Sequence, residues 1–198
     1  GIEAFIAATQ LNCKDNSLTT LDISTNTALT YLNCSNNQLA VVNTSTNILL
    51  TFLDVSFNSA MSAMDITTNT LLTNFYCQNN NISTLNTANN LALVQLNCDN
   101  NNMTLSEVSL NINLQYFSCA ENAITSLDLS GLTALTQLYC NSNGLTSLNI
   151  QNGNNINLGN FNATDNALLV CIQVDNVLYM NTNWSAGKDA QASYNTNC

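Results

Sequence analysis

The sequence repeats itself at a fixed interval of about 21 residues, and this period constrains the fold more than any other feature. One column of residues recurs at steps of 21 or 22: Cys13, Cys34, Val55, Cys77, Cys98, Cys119 and Cys140. A second apolar column lies half a period away: Ile2, Ile23, Thr44, Ile66, Thr87, Val108, Leu129 and Ile150. A constant period of this length is typical of solenoids, in which each coil stacks on the one before it.

Each half-repeat carries an apolar residue two positions before the column, as in Leu32-Asn33-Cys34. This alternation puts two side chains inside and one outside, which predicts a short strand on each of two sides of the coil. Asparagine recurs three residues after most column positions: Asn16, Asn37, Asn58, Asn80, Asn101, Asn122 and Asn143 on the cysteine side, and Asn26, Asn47, Asn69, Asn90 and Asn111 on the other. We expect these amides to be buried at the turns and to bond the backbone of neighbouring coils.

The segments between the columns are rich in Asn and Thr and have room for about one helical turn. We therefore predict a mostly β fold: a flattened parallel solenoid of about eight 21-residue coils with short parallel strands on two sides and little α-helix. The period is lost after Asn166, so residues 1–166 are predicted to form the solenoid and residues 167–198 an irregular C-terminal cap, with Trp184 over the open end of the core. Because Ile2 already lies in the second column, the natural N-terminal cap is expected upstream.

The repeats carry a family resemblance. The stretch LDISTNTALTYLNCSNN, from Leu21 to Asn37, resembles two overlapping copies of the leucine-rich-repeat pattern L-x-x-L-x-L-x-x-N. A nested repeat of this length is similar to the bacterial class called IRREKO-type. The repeats and the tail CIQVDN…NW…KDAQASYNTNC further resemble secreted Bacteroidetes surface proteins, which usually carry a sorting domain for the type IX secretion system after such a tail.

The resemblance covers essentially the whole chain. It implies a leucine-rich-repeat solenoid that is secreted or on the cell surface and that belongs to a longer polypeptide. It implies no shared active site and does not identify a ligand.

The charge composition excludes several functions. The chain has 198 residues, 12 of them acidic and 2 basic, which gives a formal net charge of −10, and it has no histidine. Lys14 and Lys188 cannot supply the basic face that nucleic-acid binding needs. The lack of histidine excludes histidine-dependent acid–base catalysis, histidine-based catalytic triads and histidine metal sites. No apolar run approaches about 18 residues, so no membrane insertion is expected.

The six column cysteines have two interpretations. They could form a metal or redox array, since soft thiolates bind zinc or copper. They could instead be small apolar residues that fit a tight coil. The lack of a CxxC pair and the valine at position 55 favour packing, so we expect no metal and no cofactor. Disulfides along the column are not expected, because neighbouring parallel residues point the same way.

Two cysteines lie outside the column and bracket the predicted cap. In an exported protein, we expect Cys171 and Cys198 to form a disulfide. The alternative is two unpaired thiols.

Carboxylates occur at the outward position of the second side, in alternation with amides: Asp22, Asn43, Asp65, Asn86, Glu107, Asp128 and Asn149. Only Glu107 and Asp128 are direct acidic neighbours, and such a pair could bind a cation or act as an acid and a base. No loop has calcium-binding spacing, and a flat sheet offers no cleft for acid–base chemistry. Solvated surface charge is therefore the favoured interpretation.

Aromatic residues occupy outward positions on the cysteine side. The position before each leucine holds Gln10, Tyr31, Phe52, Asn74, Gln95, Tyr116, Gln137 and Asn160, and the position after it adds Tyr76 and Tyr139. We expect one cluster on three successive coils (Tyr31, Phe52, Tyr76) and another on two coils (Tyr116, Tyr139). These five residues are the candidate ligand-binding residues, since exposed aromatics among amides are common at interfaces. The alternative is cross-strand stacking that only stabilises the sheet.

These observations favour a non-enzymatic, secreted or cell-surface recognition or adhesion module that binds a protein or carbohydrate through an extended sheet face. One alternative is a structural spacer within a larger surface adhesin. Another is an ice-binding solenoid, which is less favoured because carboxylates and aromatics interrupt the outward columns. An enzyme is the least favoured class.

Overall fold

The chain winds into coils whose short parallel strands stack on one another, and the predicted mostly β solenoid is confirmed, with about nine turns. The computed structural model describes residues 1–104 and 108–198. Within them, the strands are β1 (Gln10–Asn12), β2 (Tyr31–Asn33), β3 (Phe52–Asp54), β4 (Asn74–Tyr76), β5 (Gln95–Asn97), β6 (Tyr116–Ser118), β7 (Ser126–Asp128), β8 (Gln137–Tyr139), β9 (Ser147–Asn149), β10 (Asn160–Asn162), β11 (Cys171–Gln173) and β12 (Ser193–Asn195). One α-helix, α1 (Val177–Asn183), and two 3-10 turns, Ile2–Ala4 and Asn155–Asn157, complete the described elements.

Two parallel sheets line the two sides of the coils. The first has eight strands in the order β1-β2-β3-β4-β5-β6-β8-β10, and the second has four in the order β12-β11-β9-β7. In the first sheet, equivalent residues of successive coils are in register, so that Leu11, Leu32 and Leu53 lie side by side. The register follows from the 21-residue period, because a constant coil length returns each residue to the same place.

Buried asparagines join the coils at the turns, as the sequence predicts. On the second side, Asn47 Nδ2 donates to the carbonyl oxygens of Ile23 at 3.1 Å and Asn26 at 2.9 Å. Asn69, Asn90 and Asn111 repeat this arrangement. These bonds satisfy carbonyl groups that would otherwise be buried without a donor.

The inward columns form one continuous core. Leu32, Cys34 and Val55 have no exposed surface, and the equivalent residues of the later coils are also buried. In the first coil, Leu11 and Cys13 are only partly buried. Burial of apolar surface is the main favourable term in folding, and here it grows with each coil that is added.

A left-handed backbone residue forms the corner two positions after the cysteine column. The corner residues are Asp15, Asn36, Phe57, Asn79, Asn100, Glu121, Ser142 and Asp165, with φ between 48° and 58°. Asn and Asp tolerate this conformation better than other residues with a side chain, whereas a bulky side chain there is uncommon. Phe57 is the aromatic member of this set, and the repeat pattern did not predict an aromatic residue at a corner.

The C-terminal segment extends the second sheet. Strand β11 pairs with β9 on one side and with β12 on the other. Between them, Asn176 caps α1 by accepting a hydrogen bond of 2.9 Å from the backbone N–H of Tyr179. The predicted disulfide between Cys171 and Cys198 is present, with a Cα–Cα distance of 5.9 Å.

Trp184 follows α1 and packs against the end of the core. Its ring meets Phe161 edge-on, with 6.4 Å between the ring centroids. The predicted boundary at residue 166 between solenoid and cap stays a prediction. Within residues 1–104 and 108–198, no helix has the length and apolar character needed to cross a membrane.

Candidate recognition surface

The outer face of the eight-stranded sheet consists of two rows of side chains, because the middle residue of each strand points inward. The first row is Gln10, Tyr31, Phe52, Asn74, Gln95, Tyr116, Gln137 and Asn160. The residues at the third position of each strand form the other row, which we call the third row: Asn12, Asn33, Asp54, Tyr76, Asn97, Ser118, Tyr139 and Asn162. Asp54 is the only Asp, Glu, Lys or Arg residue in these two rows.

Three aromatic candidates form a continuous cluster on β2, β3 and β4. The rings of Tyr31 and Phe52 stack with 4.4 Å between centroids and 12° between planes. Phe52 meets Tyr76 at 5.5 Å and 48°. All three side chains are half-buried, so each ring covers part of its neighbour and leaves an edge toward solvent.

The cluster is tied to the amides beside it. The hydroxyl of Tyr76 donates a short hydrogen bond to Oε1 of Gln95 on the next strand. Asn74 Nδ2 donates to the same hydroxyl oxygen at 3.4 Å. These contacts fix the position of the Tyr76 ring, and a fixed side chain loses less entropy when a partner binds.

The other two candidates form a second cluster. Tyr116 and Tyr139 lie on β6 and β8 with 5.9 Å between ring centroids and 47° between ring planes. Burial raises the pKa of the Tyr116 hydroxyl, so this group stays protonated and remains a hydrogen-bond donor at neutral pH. The structure therefore places the five candidates on one face, in two groups.

Most residues of the third row close a turn at the end of their strand. Asn33 Oδ1 accepts a hydrogen bond of 3.0 Å from the backbone N–H of Ser35, and Asp54 Oδ1 accepts an equivalent bond of 3.0 Å from Ser56. The same bond recurs at Asn12, Asn97 and Asn162. Such a bond is an Asx turn, in which a short side chain replaces a backbone acceptor.

Tyr76 and Tyr139 occupy this row but cannot make the turn-closing bond. The backbone N–H groups of Gln78 and Asn141, which would donate it, have no acceptor in the part of the chain that the structure describes. The repeat therefore loses a hydrogen bond at each of the two coils that carry a third-row tyrosine. In its place the two tyrosines make ring contacts with Phe52 and Tyr116.

Ser118 also departs from the third-row pattern, but its coil recovers the bond. Asp99 of the preceding coil accepts hydrogen bonds from Ser118 Oγ at 2.6 and 2.8 Å and from the backbone N–H of Ala120 at 2.7 Å. Burial raises the pKa of the Asp99 carboxyl, against the effect of these bonds. At this coil the backbone N–H of Ala120 therefore has an acceptor although Ser118 does not supply one.

The opposite side of the solenoid shows the same turn chemistry. Asp22, Asp65 and Asp128 accept bonds of 3.0, 2.9 and 3.0 Å from the backbone N–H groups two residues later. The backbone bond from Ser24 lowers the pKa of Asp22, and the hydroxyl of Thr67 together with its backbone N–H lowers that of Asp65. Asn43, Asn86 and Asn149 accept the same bond, so Asp and Asn both close the turn at this position, a role that the sequence patterns did not reveal. Glu107 lies outside the described residues, so the predicted acidic pair is not described either.

The column cysteines are neutral core residues. Burial raises the pKa of each of the five buried thiols, and that of Cys140 reaches about 12. Cys98 Sγ donates a weak hydrogen bond of 3.3 Å to the carbonyl of Ser118. A thiol must lose its proton to ligate a metal or attack a substrate, and these thiols keep theirs at neutral pH. Among residues 1–104 and 108–198, no three Cys, Asp or Glu residues are arranged to hold a metal ion.

No protein-family model and no curated protein matches the sequence. Among solved structures, the chain is similar to the functional domain of InlJ from Listeria monocytogenes, which includes a cysteine ladder, with a TM-score of 0.64 and 29% identity over 87% of this chain and 50% of that one. The chain therefore spans about half the length of that domain. It is also similar to internalin C2 of the same bacterium, with a TM-score of 0.75 and 20% identity over 98% of this chain and 84% of that one.

A third similar structure is the complex of PEPR1 with AtPEP1, with a TM-score of 0.71 and 20% identity over 87% of this chain and 26% of that one. Together with the geometry above, these similarities show the fold of the chain, which is that of a leucine-rich-repeat solenoid. A cysteine ladder is thus a named feature of the InlJ domain, and a column of cysteines occurs in this chain.

Proposed function

We propose that the chain is a non-enzymatic recognition module that binds a protein partner through the outer face of its eight-stranded sheet. The observation that carries the proposal is the presence of Tyr76 and Tyr139 in the third row, where the other coils use a turn-closing residue. Each tyrosine forgoes a hydrogen bond worth about 1 kcal/mol. We attribute this cost to a role in recognition.

The chemistry of the surface favours a protein over a carbohydrate on this face. Sugar rings stack on free aromatic faces, but one face of Tyr31 is covered by Phe52, and Phe52 itself lies between Tyr31 and Tyr76. What remains exposed is a set of ring edges, tyrosine hydroxyls and amides. Such groups are enriched in protein–protein interfaces and hot spots. The net charge of −10 makes a neutral or basic partner more favourable than an acidic one.

The similarity to the PEPR1 complex supports this use of the fold, because that structure is of a solenoid together with AtPEP1. A structural spacer in a larger adhesin and an ice-binding surface are the other candidates. Each of them predicts that the outer face of the sheet has no macromolecular partner, so one binding experiment separates them from recognition.

We further propose that the chain acts outside the cell or on its surface, as an adhesion module of a longer polypeptide exported by a type IX secretion system. The disulfide between Cys171 and Cys198 supports an oxidising location, since such bonds rarely persist in the cytosol. The tail that contains them, together with the repeats, resembles exported Bacteroidetes proteins. Export is tested by fractionating producing cells with and without a functional type IX system; retention of the full-length protein at the surface in both would contradict the route.

The recognition surface is tested with two matched triple variants. The first replaces Tyr31, Phe52 and Tyr76 with serine, and the second places Thr20→Ser, Val41→Ser and Ala63→Ser on three coils of the opposite side, where all three residues are exposed. Proteins bound to the parent are identified by affinity capture and mass spectrometry, and the purified partner is then titrated by calorimetry. The sheet-face variant should bind at least about tenfold more weakly, and the control should bind like the parent.

The melting temperatures complete the test. The control variant should melt within a few degrees of the parent, because exposed substitutions change stability little. The sheet-face variant should melt a few degrees lower, because it loses ring contacts worth about 0.5–1.5 kcal/mol per pair. A much lower melting temperature for the sheet-face variant would favour simple cross-strand stacking. Equal binding by that variant would assign the site to another surface. If no partner is enriched, the spacer is favoured, and inhibition of ice recrystallisation at micromolar concentration would favour the ice-binding class.

A further inference from the structure

Phe57 is an aromatic residue in a backbone position that suits Asn or Asp. It forms the third corner of the solenoid with a φ of 55°, in a column whose described members otherwise are Asp, Asn, Glu and Ser. A bulky side chain is uncommon in this region of φ and ψ. The side chain is 51% exposed, so core packing does not explain its presence.

The corner column carries a chain of amide hydrogen bonds that Phe57 interrupts. On one side, Asn36 Nδ2 donates to Asp15 Oδ1 at 2.9 Å. On the other side, Asn100 Nδ2 donates to Asn79 Oδ1 at 2.7 Å. An asparagine at position 57 would connect the two pairs, because its Nδ2 could donate to Asn36 and its Oδ1 could accept from Asn79.

The interruption leaves two complementary polar atoms beside the ring. Asn36 Oδ1, an acceptor, and Asn79 Nδ2, a donor, make no hydrogen bond within the described part of the chain. Both residues line the same surface concavity as Phe57, which has a volume of about 450 Å³. Unlike Tyr31 and Phe52, Phe57 stacks on no other aromatic ring among the described residues.

We propose that Phe57, Asn36 and Asn79 form a binding site for one pyranose ring of a neutral glycan. A pyranose has an apolar face of C–H groups that packs on an open aromatic ring, and its hydroxyl groups both donate and accept hydrogen bonds. Asn36 and Asn79 belong to coils two apart, which are separated by about 10 Å. A sugar ring on Phe57 with a hydrogen bond of about 2.8 Å at each end fills this gap.

The charges around the corner favour an uncharged sugar. Asp15 and Glu121 are carboxylates of the same corner column, and the whole chain carries a net charge of −10. Sulfated or uronic-acid glycans would be repelled by these charges. The site lies at the edge of the solenoid and does not include the aromatic clusters of the sheet face, so it is independent of the proposed protein interface.

The proposal is tested by saturation-transfer NMR and calorimetry with three neutral probes: chitohexaose, cellohexaose and α-1,6-mannohexaose. The parent should bind at least one of them. Phe57→Asn should weaken that binding by about tenfold or more, and Phe57→Tyr should retain it, because a tyrosine keeps the ring face. Glu121→Asn is the matched control, since it changes the same corner three coils later and should bind like the parent.

The stability of the variants distinguishes recognition from folding. Phe57→Asn should melt at or above the temperature of the parent, because asparagine is favoured at a positive φ and restores the amide chain. A clearly lower melting temperature would show that the ring stabilises the coil and would overturn the proposal. Failure of all three probes to bind at millimolar concentration, or binding unchanged by Phe57→Asn, would also overturn it. Loss of a protein partner in place of a sugar would reassign Phe57 to a protein contact.

Discussion

Thr44 Oγ1 donates a hydrogen bond of 2.8 Å to Oδ1 of Asn69, and both side chains are buried in adjacent coils. Thr87 makes the equivalent bond to Asn111 at 2.7 Å. Where isoleucine occupies the same column, the asparagine of the next coil lacks this donor, and Oδ1 of Asn47 and Oδ1 of Asn90 are buried without a partner. Each of the two threonines in this otherwise aliphatic column thus supplies a donor to an amide oxygen that would be buried without one beside isoleucine.

Replacement of Thr44 with valine should therefore destabilise the solenoid although the two side chains have nearly the same shape. The change leaves Asn69 Oδ1 buried without a donor, which costs about 1–3 kcal/mol of unfolding free energy. Thr27→Val is the control, because Thr27 is exposed and the change should stay within about 0.5 kcal/mol. Urea denaturation measures both, and equal stability of the Thr44 variant and the parent would show that the amide oxygen finds another donor, such as water.

The cysteine column makes a second prediction. Cys98→Ala should lower the unfolding free energy by about 1 kcal/mol, because it removes one buried sulfur from a tightly packed coil. Cys98→Asp should unfold the neighbouring coils, since it buries a charge with no partner. The measurement is thermal denaturation followed by circular dichroism. If the aspartate variant melts like the parent, the column is not inside the solenoid.

The sequence was sufficient to predict the period, the inward columns and the buried asparagines, because a repeated coil imposes the same environment on each equivalent residue. The corner two residues after the cysteine column escaped detection, since its members share a backbone conformation but differ in chemistry, as Asn36, Phe57 and Glu121 show. The aromatic pairs could be placed from the register alone. The sequence did not show that Tyr76 stands where other coils have a turn-closing residue, because only the hydrogen bonds reveal the role of that position.

Helix α1 was also missed by sequence reasoning. Its start is marked by Asn176, but asparagine is so frequent in this chain that a single one at a helix N-cap carries little information. With seven residues, the helix is too short for an apolar period to be recognised. It is held by its position between β11 and β12, and those strands lie outside the 21-residue period.

The disulfide makes a third prediction. The double variant Cys171→Ser, Cys198→Ser should lose about 3 kcal/mol of unfolding free energy, because the bridge closes a loop with a sequence separation of 27. Denaturation of the oxidised and reduced parent gives an independent estimate of the same quantity. Peptide mapping under non-reducing conditions should find this bridge and none between column cysteines, which are free in the structure. A bridge between Cys98 and Cys119 would contradict the packing of the column.

Asp99 makes a prediction about pH. Partial burial raises its pKa above the ordinary value, so the folded state binds this proton more tightly than the unfolded state. Such a group contributes stability that is fully present below the unfolded pKa of about 3.9 and is lost as the pH rises through the folded pKa. Asp99→Asn removes this loss and keeps an oxygen that can accept from Ser118 and Ala120, since both bond to Oδ1.

The Asp99→Asn variant should therefore be more stable than the parent at pH 7, and the difference should shrink as the pH is lowered toward about 4. Asp65→Asn is the control, because the change in stability with pH should have the opposite sign. Hydrogen bonds from Thr67 lower the pKa of Asp65, so the stability it contributes is present above the unfolded pKa and is lost as the pH falls through the folded one. The Asp65 variant should be less stable than the parent at pH 7 and converge with it in acid. Urea titrations at several pH values compare the three proteins, and parallel pH profiles for the parent and Asp99→Asn would show that Asp99 titrates as it does in water.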